Sequence, residues 1–287
     1  MQVYTTAVAT LLLIASTSTA QEKTNRTYFS VSGGGKLFYE VRGEGKPVVF
    51  LHDGLLHSAS WSAQWEFLGK HYKVIRYDRR GFGKSDKATE PYSEVQDLYA
   101  LFEHLNLSNT MIIACSAGGA LALDFALAYP PMVERMILVG PIVSGLGFST
   151  HFQERNRAAF APLKNGDVAG TISNWVNDPW LIASGSQHAK ERFRELLTAN
   201  PQNLTHSGRL AAGAKPAIGQ LHEVSFPVLI VVGEHDIPDV HAHCGAIQAG
   251  IAHARRTIIR NAGHLVFLEK PDEFNKIVAE FLSVQTP

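Results

Sequence analysis

The chain has 287 residues, 45% of them hydrophobic and 18% charged, enough to bury one large core or a core with a subdomain. Its 26 basic and 26 acidic residues balance and no long run of one sign occurs, which argues against nucleic-acid binding and against steering of a strongly charged partner. Two cysteines, Cys115 and Cys244, are too few for a disulfide framework, and Cys115 falls in an apolar run where a free thiol is expected.

Residues 1–20 differ from the rest. The run TAVATLLLIASTSTA is apolar, then small and polar, and STA before Gln21 fits a small-x-small cleavage pattern. This predicts a secretory signal peptide and a secreted or periplasmic protein, although no Lys or Arg precedes the apolar core. A lipid-surface anchor or a disordered leader is the alternative. The apolar stretch is too short to cross a bilayer and no later stretch is long enough, so no stable membrane span is expected after signal removal. Asn25, Asn106 and Asn203 stand in N-x-S/T sequons, which matter only in a glycosylating host.

Past the leader, RTYFSVSGGGKLFYEVRGEG predicts a hairpin turning at Gly33-Gly34-Gly35. KPVVFLHDG reads as a short apolar strand and loop, and WSAQWEFLGK as a helix with Trp61, Trp65 and Leu68 on one face. YKVIRYD is a further strand, RRGFGKSD its Gly-rich loop, and PYSEVQDLYALFEHLNL an amphipathic helix with Pro91 near its start. A strand at 110–115, a helix at 117–129 and a strand at 134–139 follow. Strands alternating with helices predict an α/β fold, and their continuous apolar runs predict a mostly parallel, eight-stranded sheet covered on both faces.

The alternation breaks after Gly140. Residues 144–222 hold helical patterns, several Gly and Pro, and aromatics such as Phe148, Phe160 and Trp175, with no strong strand. FPVLIVVGEHD then restores a strand, DVHAHCGAIQAGI a helix, ARRTIIRNAGH a strand and loop, and PDEFNKIVAEFLSV a final helix. The expected organisation is a first core part at 21–143, a helical cap at 144–222 and a second core part at 223–287.

Chemistry enters at Ser116, where the apolar run MIIAC stops and a helix begins. The hydroxyl there is either a helix N-cap or a nucleophile on a sharp turn. Ala114-Cys115-Ser116-Ala117-Gly118 has the spacing of G-x-S-x-G with Ala first, and small residues at both ends let strand and helix pack closely. Asp236 in GEHDIPD and His264 in NAGHLVFLEKP follow, each past the end of a predicted strand, where open α/β sheets place their sites. A serine hydroxyl needs a base to take its proton, and the base needs a carboxylate to set its tautomer. An oxyanion needs donors, expected from the loop after VVFL and from the Ala117 N–H. Asp239, directly after Pro238, reads as a first-turn acid explained by the helix dipole.

Taken in order, HDGLLHSASW, DRRGFGKSD, CSAGG, GEHD and NAGH resemble the α/β-hydrolase fold superfamily, in the cap-bearing branch of esterases, C–C bond hydrolases, peptidases and cofactor-free perhydrolases. The resemblance spans residues 27 to 284. It implies Ser116 as nucleophile, His264 as base, Asp236 as triad acid by its G-x-x-D spacing, Gly54 as the oxyanion donor beside Ala117, and Asp78 as a structural aspartate. It implies no cofactor. Serine at the nucleophile position argues against dehalogenase or epoxide-hydrolase chemistry. The usual H-G is H-D-G here, and Asp53 is expected to face away, because a carboxylate aimed at the hole would oppose an anion.

The leading expectation is ester cleavage of a small-molecule substrate through an acyl-enzyme. C–C bond hydrolysis, aminopeptidase activity and a non-enzymatic ligand receptor are the alternatives. An aminopeptidase should carry acids in the cap, and Glu154, Asp167, Asp178, Glu191 and Glu195 are available. Leu55, Trp175 and Trp180 are expected to line the pocket. His52 and His57 read as loop packing. His235, His241, His243 and His253 read as a solvated surface cluster, without the acidic or cysteine partners a metal site needs.

Overall fold

Apolar runs that leave no polar face must pair along their edges and be covered above and below. The computed structural model describes residues 25–183, 185–205, 211–213 and 215–283, and the expected signal peptide lies outside them. Strands β1 (Asn25–Ser30), β2 (Lys36–Arg42), β3 (Pro47–Leu51), β4 (Lys73–Tyr77), β5 (Thr110–Cys115), β6 (Val133–Val139), β7 (Val228–Gly233) and β8 (Ala254–Ile259) form one eight-stranded sheet. Its order is β1-β2-β4-β3-β5-β6-β7-β8. β2 is antiparallel to β1 and β4, and the remaining pairs are parallel. Every residue of β5 and β7 is buried, as both-face coverage requires.

The helices supply that cover. α1 (Ser62–Leu68) packs on α9 (Pro271–Ser283), and the buried Trp61 just before α1 stacks on Phe267 at 4.0 Å. α2 (Glu94–His104) packs on α3 (Ala117–Ala128). α2 starts at Glu94, not at Pro91, because Ser93 accepts the Gln96 N–H and sets the boundary. Full burial of side chains such as Phe50, Phe125 and Phe274 contributes about 1.5–3 kcal/mol each.

Between β6 and β7 the chain forms α4 (Thr150–Ala159), α5 (Val168–Val176) and α6 (Gln187–Ala199), and none of its described residues joins the sheet. α5 and α6 pack on each other, and Ile172, Val176, Phe193 and Leu197 are among their buried residues. α7 (Pro238–Gly250) packs on β7 and β8, and a four-residue α8 (Val266–Glu269), too short for any periodicity to announce, precedes α9.

The strand order reverses at β3, with β4 on one side and β5 on the other. Such a switch point opens a crevice at the strands' C-terminal ends. Parallel register aligns those ends: Leu51 pairs with Ala114, Cys115 with Val139, and Gly233 with Ile259. The residues just past them therefore converge.

Candidate active site

β5 ends at Cys115 and α3 begins at Ala117, so Ser116 alone makes the turn, at φ 53° and ψ −117°. A non-glycine residue held there costs on the order of 1–3 kcal/mol. The turn is fixed from both sides. Ser116 N–H donates to Val139 O at 3.0 Å, and Gly119 N–H donates to Ser116 O at 2.8 Å. Tight packing of the helix start demands Gly118, where a Cβ would lie 2.5 Å from His52 O. Ser116 stands at the N-cap position of α3, but its side chain makes no cap hydrogen bond. It lines a cavity of about 380 Å³, together with His264.

His264 stands past β8 with its ring against Asp236, which stands past β7. His264 Nδ1 donates to Asp236 Oδ1 at 2.8 Å. An ionised carboxylate only accepts, so the proton sits on Nδ1 and the Nε2 lone pair is left for a substrate-side proton. Asp236 Oδ1 also accepts the Ile237 N–H at 2.7 Å, and both side chains are buried. Burial alone depresses the His264 pKa. The charge and hydrogen bond of Asp236, with the charge of Asp53, outweigh it and hold the imidazole above its ordinary value. Space for this pair is made by Gly140, at φ 48°. A Cβ there would lie 2.7 Å from His264 Nδ1 and 2.8 Å from Asp236 Oδ2. The only advance sign of Gly140 is a glycine directly after the apolar run ILV.

Residues 46–271 match the family described as alpha/beta hydrolase fold. The chain belongs to the alpha/beta hydrolase fold family. It is 27% identical over 265 residues to 2-hydroxy-6-oxo-6-phenylhexa-2,4-dienoate hydrolase of Comamonas testosteroni, covering 86% of this chain and 91% of that protein. It is 26% identical over 261 residues to pimeloyl-[acyl-carrier protein] methyl ester esterase of Nitrosospira multiformis, covering 85% and 97%. Its fold matches a thermophilic esterase from Thermogutta terrifontis with a TM-score of 0.75 at 24% identity, covering 90% and 98%.

The loop after β3 lies close to the start of α3. A Cβ on Gly54 would be 3.6 Å from the Ala117 Cβ, and both residues line the cavity. Among the described residues neither amide N–H has an acceptor. Asp53 gives the loop its shape: Oδ1 accepts the Leu55 N–H at 2.7 Å and the Leu56 N–H at 2.9 Å. The expectation that Asp53 faces away needs correction. Oδ1 turns into its own loop, yet the residue still lines the cavity, its Oδ2 is buried without a hydrogen-bond partner, and its charge still reaches His264.

Leu55 and Trp175 line the same cavity. Trp180 does not; with His235, Asn261 and Lys270 it lines a neighbouring, larger cleft of about 560 Å³ that contains neither Ser116 nor His264. The smaller cavity is the one with the chemistry. Trp180 serves the site through its backbone instead, accepting the His264 N–H at 2.8 Å, while Leu181 O accepts the Leu265 N–H at 3.0 Å. Glu269 reinforces this strap, accepting the Gly263 N–H at 2.6 Å and the Ala183 N–H at 2.9 Å.

The remaining acids have other partners. Asp78 holds its loop by accepting the N–H groups of Ser58 and Lys84, both at 2.8 Å. Asp239 sits in the first turn of α7 but does more than meet a helix dipole. It accepts both the N–H and the Oγ–H of Ser149, at 2.6 and 2.8 Å, and so ties α7 to the N-cap of α4. Glu234 accepts the Asn261 N–H at 2.9 Å on the surface. Of Glu154, Asp167, Asp178, Glu191 and Glu195, none lines the cavity.

His52 packs as expected, donating from Nδ1 to Asp53 O at 2.8 Å and accepting the Arg79 N–H at 3.0 Å. His57 Nε2 accepts from Asn200 at 3.1 Å. The surface-cluster expectation fails at His243. It is buried on the core face of α7 with Val240, Cys244 and Ile247, and accepts the Val143 N–H at 3.0 Å. Among the described residues no group of three or more His, Cys, Asp or Glu could hold a metal. Cavity residues that the sequence did not single out include Ile142, Arg155, Asn156 and Leu265.

Proposed function

We propose that the protein is a serine hydrolase that cleaves a carboxylic ester through an acyl-enzyme. One observation carries the reading: Ser116, strained and uncapped, shares an apolar cavity with a histidine whose other nitrogen is bonded to a buried carboxylate. His264 Nε2 takes the hydroxyl proton as Ser116 Oγ attacks the carbonyl carbon. The oxyanion is met by the N–H groups of Gly54 and Ala117, each such donor being worth about 3 kcal/mol in the transition state. His264 passes the proton to the departing alcohol, and water then repeats the sequence on the acyl-enzyme. Asp236 keeps the imidazole in the required tautomer and stabilises the imidazolium.

Two relatives mark the range of this site. One is named as a methyl ester esterase, the other as a hydrolase of a dienoate, so C–C bond cleavage on the same three residues is the second reading. An aminopeptidase is disfavoured, because no acid of residues 144–222 lines the cavity to hold an amine. We read residues 144–222 as a cap over Ser116, and residues 1–20 as a cleaved signal that makes the protein secreted or periplasmic.

The test is turnover of p-nitrophenyl esters with fluorophosphonate labelling. Wild type should label at Ser116 and turn over, and Ser116→Ala should lose on the order of 10⁶ in kcat while staying folded. A folded wild type that neither labels nor turns over any ester overturns the reading and leaves a receptor. Exported protein should have the mass of a chain starting near Gln21; an intact Met1 refutes the signal assignment.

A further inference from the structure

One wall of the cavity carries hydrogen-bond donors with nothing to accept them. Arg155, on α4, lines the cavity with its side chain about nine-tenths buried, and its Nη2 has no partner among the described residues. Trp175 Nε1, on the same wall, is equally buried and equally unmatched. Buried donors are nearly always paired, and leaving one unpaired is costly. Two such residues on the lining of one cavity call for an acceptor that arrives with the substrate.

The guanidinium is held ready for such a group. Its Nε meets Asp178 Oδ2 at 2.6 Å, and its carbon lies 5.3 Å from the centre of the Trp175 ring. The other oxygen of Asp178, Oδ1, accepts the N–H groups of Trp180 and Leu181 at 2.9 and 3.3 Å, which fixes the carboxylate in place. The guanidinium is thus ion-paired at Nε, and neither Nε nor Nη2 makes a hydrogen bond. A planar guanidinium fixed in this way suits a carboxylate better than a single neutral acceptor does.

The cavity is also polarised. Asp53, with its unmatched Oδ2, puts a negative charge on the lining beside Gly54. Arg155 offers the opposite charge elsewhere on the lining. Apolar side chains such as Leu55, Phe152, Phe160 and Leu265 complete it and suit a hydrocarbon spacer.

We infer that Arg155 and Trp175 form a subsite for a free carboxylate remote from the bond that is cleaved, so that the preferred substrates are half-esters of dicarboxylic acids. The inference rests on the ester reading for its reaction but not for its binding site, and the two are tested apart. Binding is measured by calorimetry on Ser116→Ala protein, with monomethyl glutarate against dimethyl glutarate. The anionic half-ester should bind about 10- to 100-fold tighter, and the preference should fall to near unity when Arg155→Met is added. Because that change strands Asp178 as a buried charge, R155M/D178N is run alongside and should behave the same. No preference in the parent, or a preference that survives in a folded Arg155 variant, overturns the subsite. In kinetics, the ratio of kcat/KM for 4-nitrophenyl hydrogen glutarate over 4-nitrophenyl butyrate should collapse in the same variants, chiefly through KM. If no ester is cleaved, the ester reading fails while the binding ratio still decides the subsite.

Discussion

Replacing Gly140 by Ala adds one methyl group at the back of the His264–Asp236 pair. The new carbon would lie 2.7 Å from His264 Nδ1 and 2.9 Å from His264 Cε1, and 2.8 Å from Asp236 Oδ2. Ordinary contact begins about 0.7 Å further out, and a backbone held just past the end of β6 leaves the side chains to move. The hydrogen bond they share is 2.8 Å long, so a displacement of that size breaks or bends it. Misplacement near 1 Å typically costs about 10² in rate, and full loss of the carboxylate's role about 10⁴. G140A should therefore lose about 10² to 10⁴ in kcat, with little change in KM because Gly140 does not line the cavity. Alanine at φ 48° adds a stability cost on the order of 1–2 kcal/mol. Steady-state kinetics on a p-nitrophenyl ester and a thermal melt measure both. A folded G140A enzyme within threefold of wild-type kcat would show that the pair is not as confined as described.

The rate should also rise with pH through His264, since the base must be neutral, and the limb should lie above the ordinary 6.5 because the folded pKa is raised. Asp53→Asn removes one of the charges that raise it and should move the limb to lower pH in a kcat/KM profile. By linkage, protonated His264 stabilises the fold below the unfolded pKa and this stability is lost as pH rises through the folded one, which melts across that range detect. Asp236→Asn should cost on the order of 10⁴ in kcat with the fold intact, whereas Asp239→Asn should cost less than tenfold. The latter loses its charge-assisted grip on Ser149, about 1–2 kcal/mol, seen as a melting point lower by a few degrees. Trp175→Leu should change the preference between short and long acyl esters in a substrate panel, and Trp180→Leu should not.

The order of strands and helices was legible because strands covered on both faces must be apolar throughout, and β5 and β7 are. Ser116, Asp236 and His264 are legible as residues just past strand ends, and the structure puts Ser116 and His264 on one cavity and bonds His264 to Asp236. His243 reads as surface in a histidine-rich stretch, whereas its spacing with Val240, Cys244 and Ile247 puts it on the core face of α7. Trp180 was misplaced for a different reason. Its position depends on the strap lying against the His264 loop, a contact between residues 84 apart with no local signature. Arg155 reads locally as an ordinary charged helix residue. Only the tertiary structure shows that its partner Asp178 is already committed.

The strap from Asp178 to Ala183 has a practical meaning for anyone grafting a foreign lid onto this scaffold. Sequence would place the joints at the limits of the helical insertion, and a transplant cut there would carry away the acceptor of the His264 N–H and the partner of Glu269. His264 would then hang from a loop missing its outer rail. Joints drawn before Asp178 would leave the rail in place and exchange only α4 and α5, the helices that contribute Arg155 and Trp175 to the cavity. Swapped lids that keep 178–183 should retain catalytic competence while changing what is cleaved; those that replace it should fail on every substrate alike.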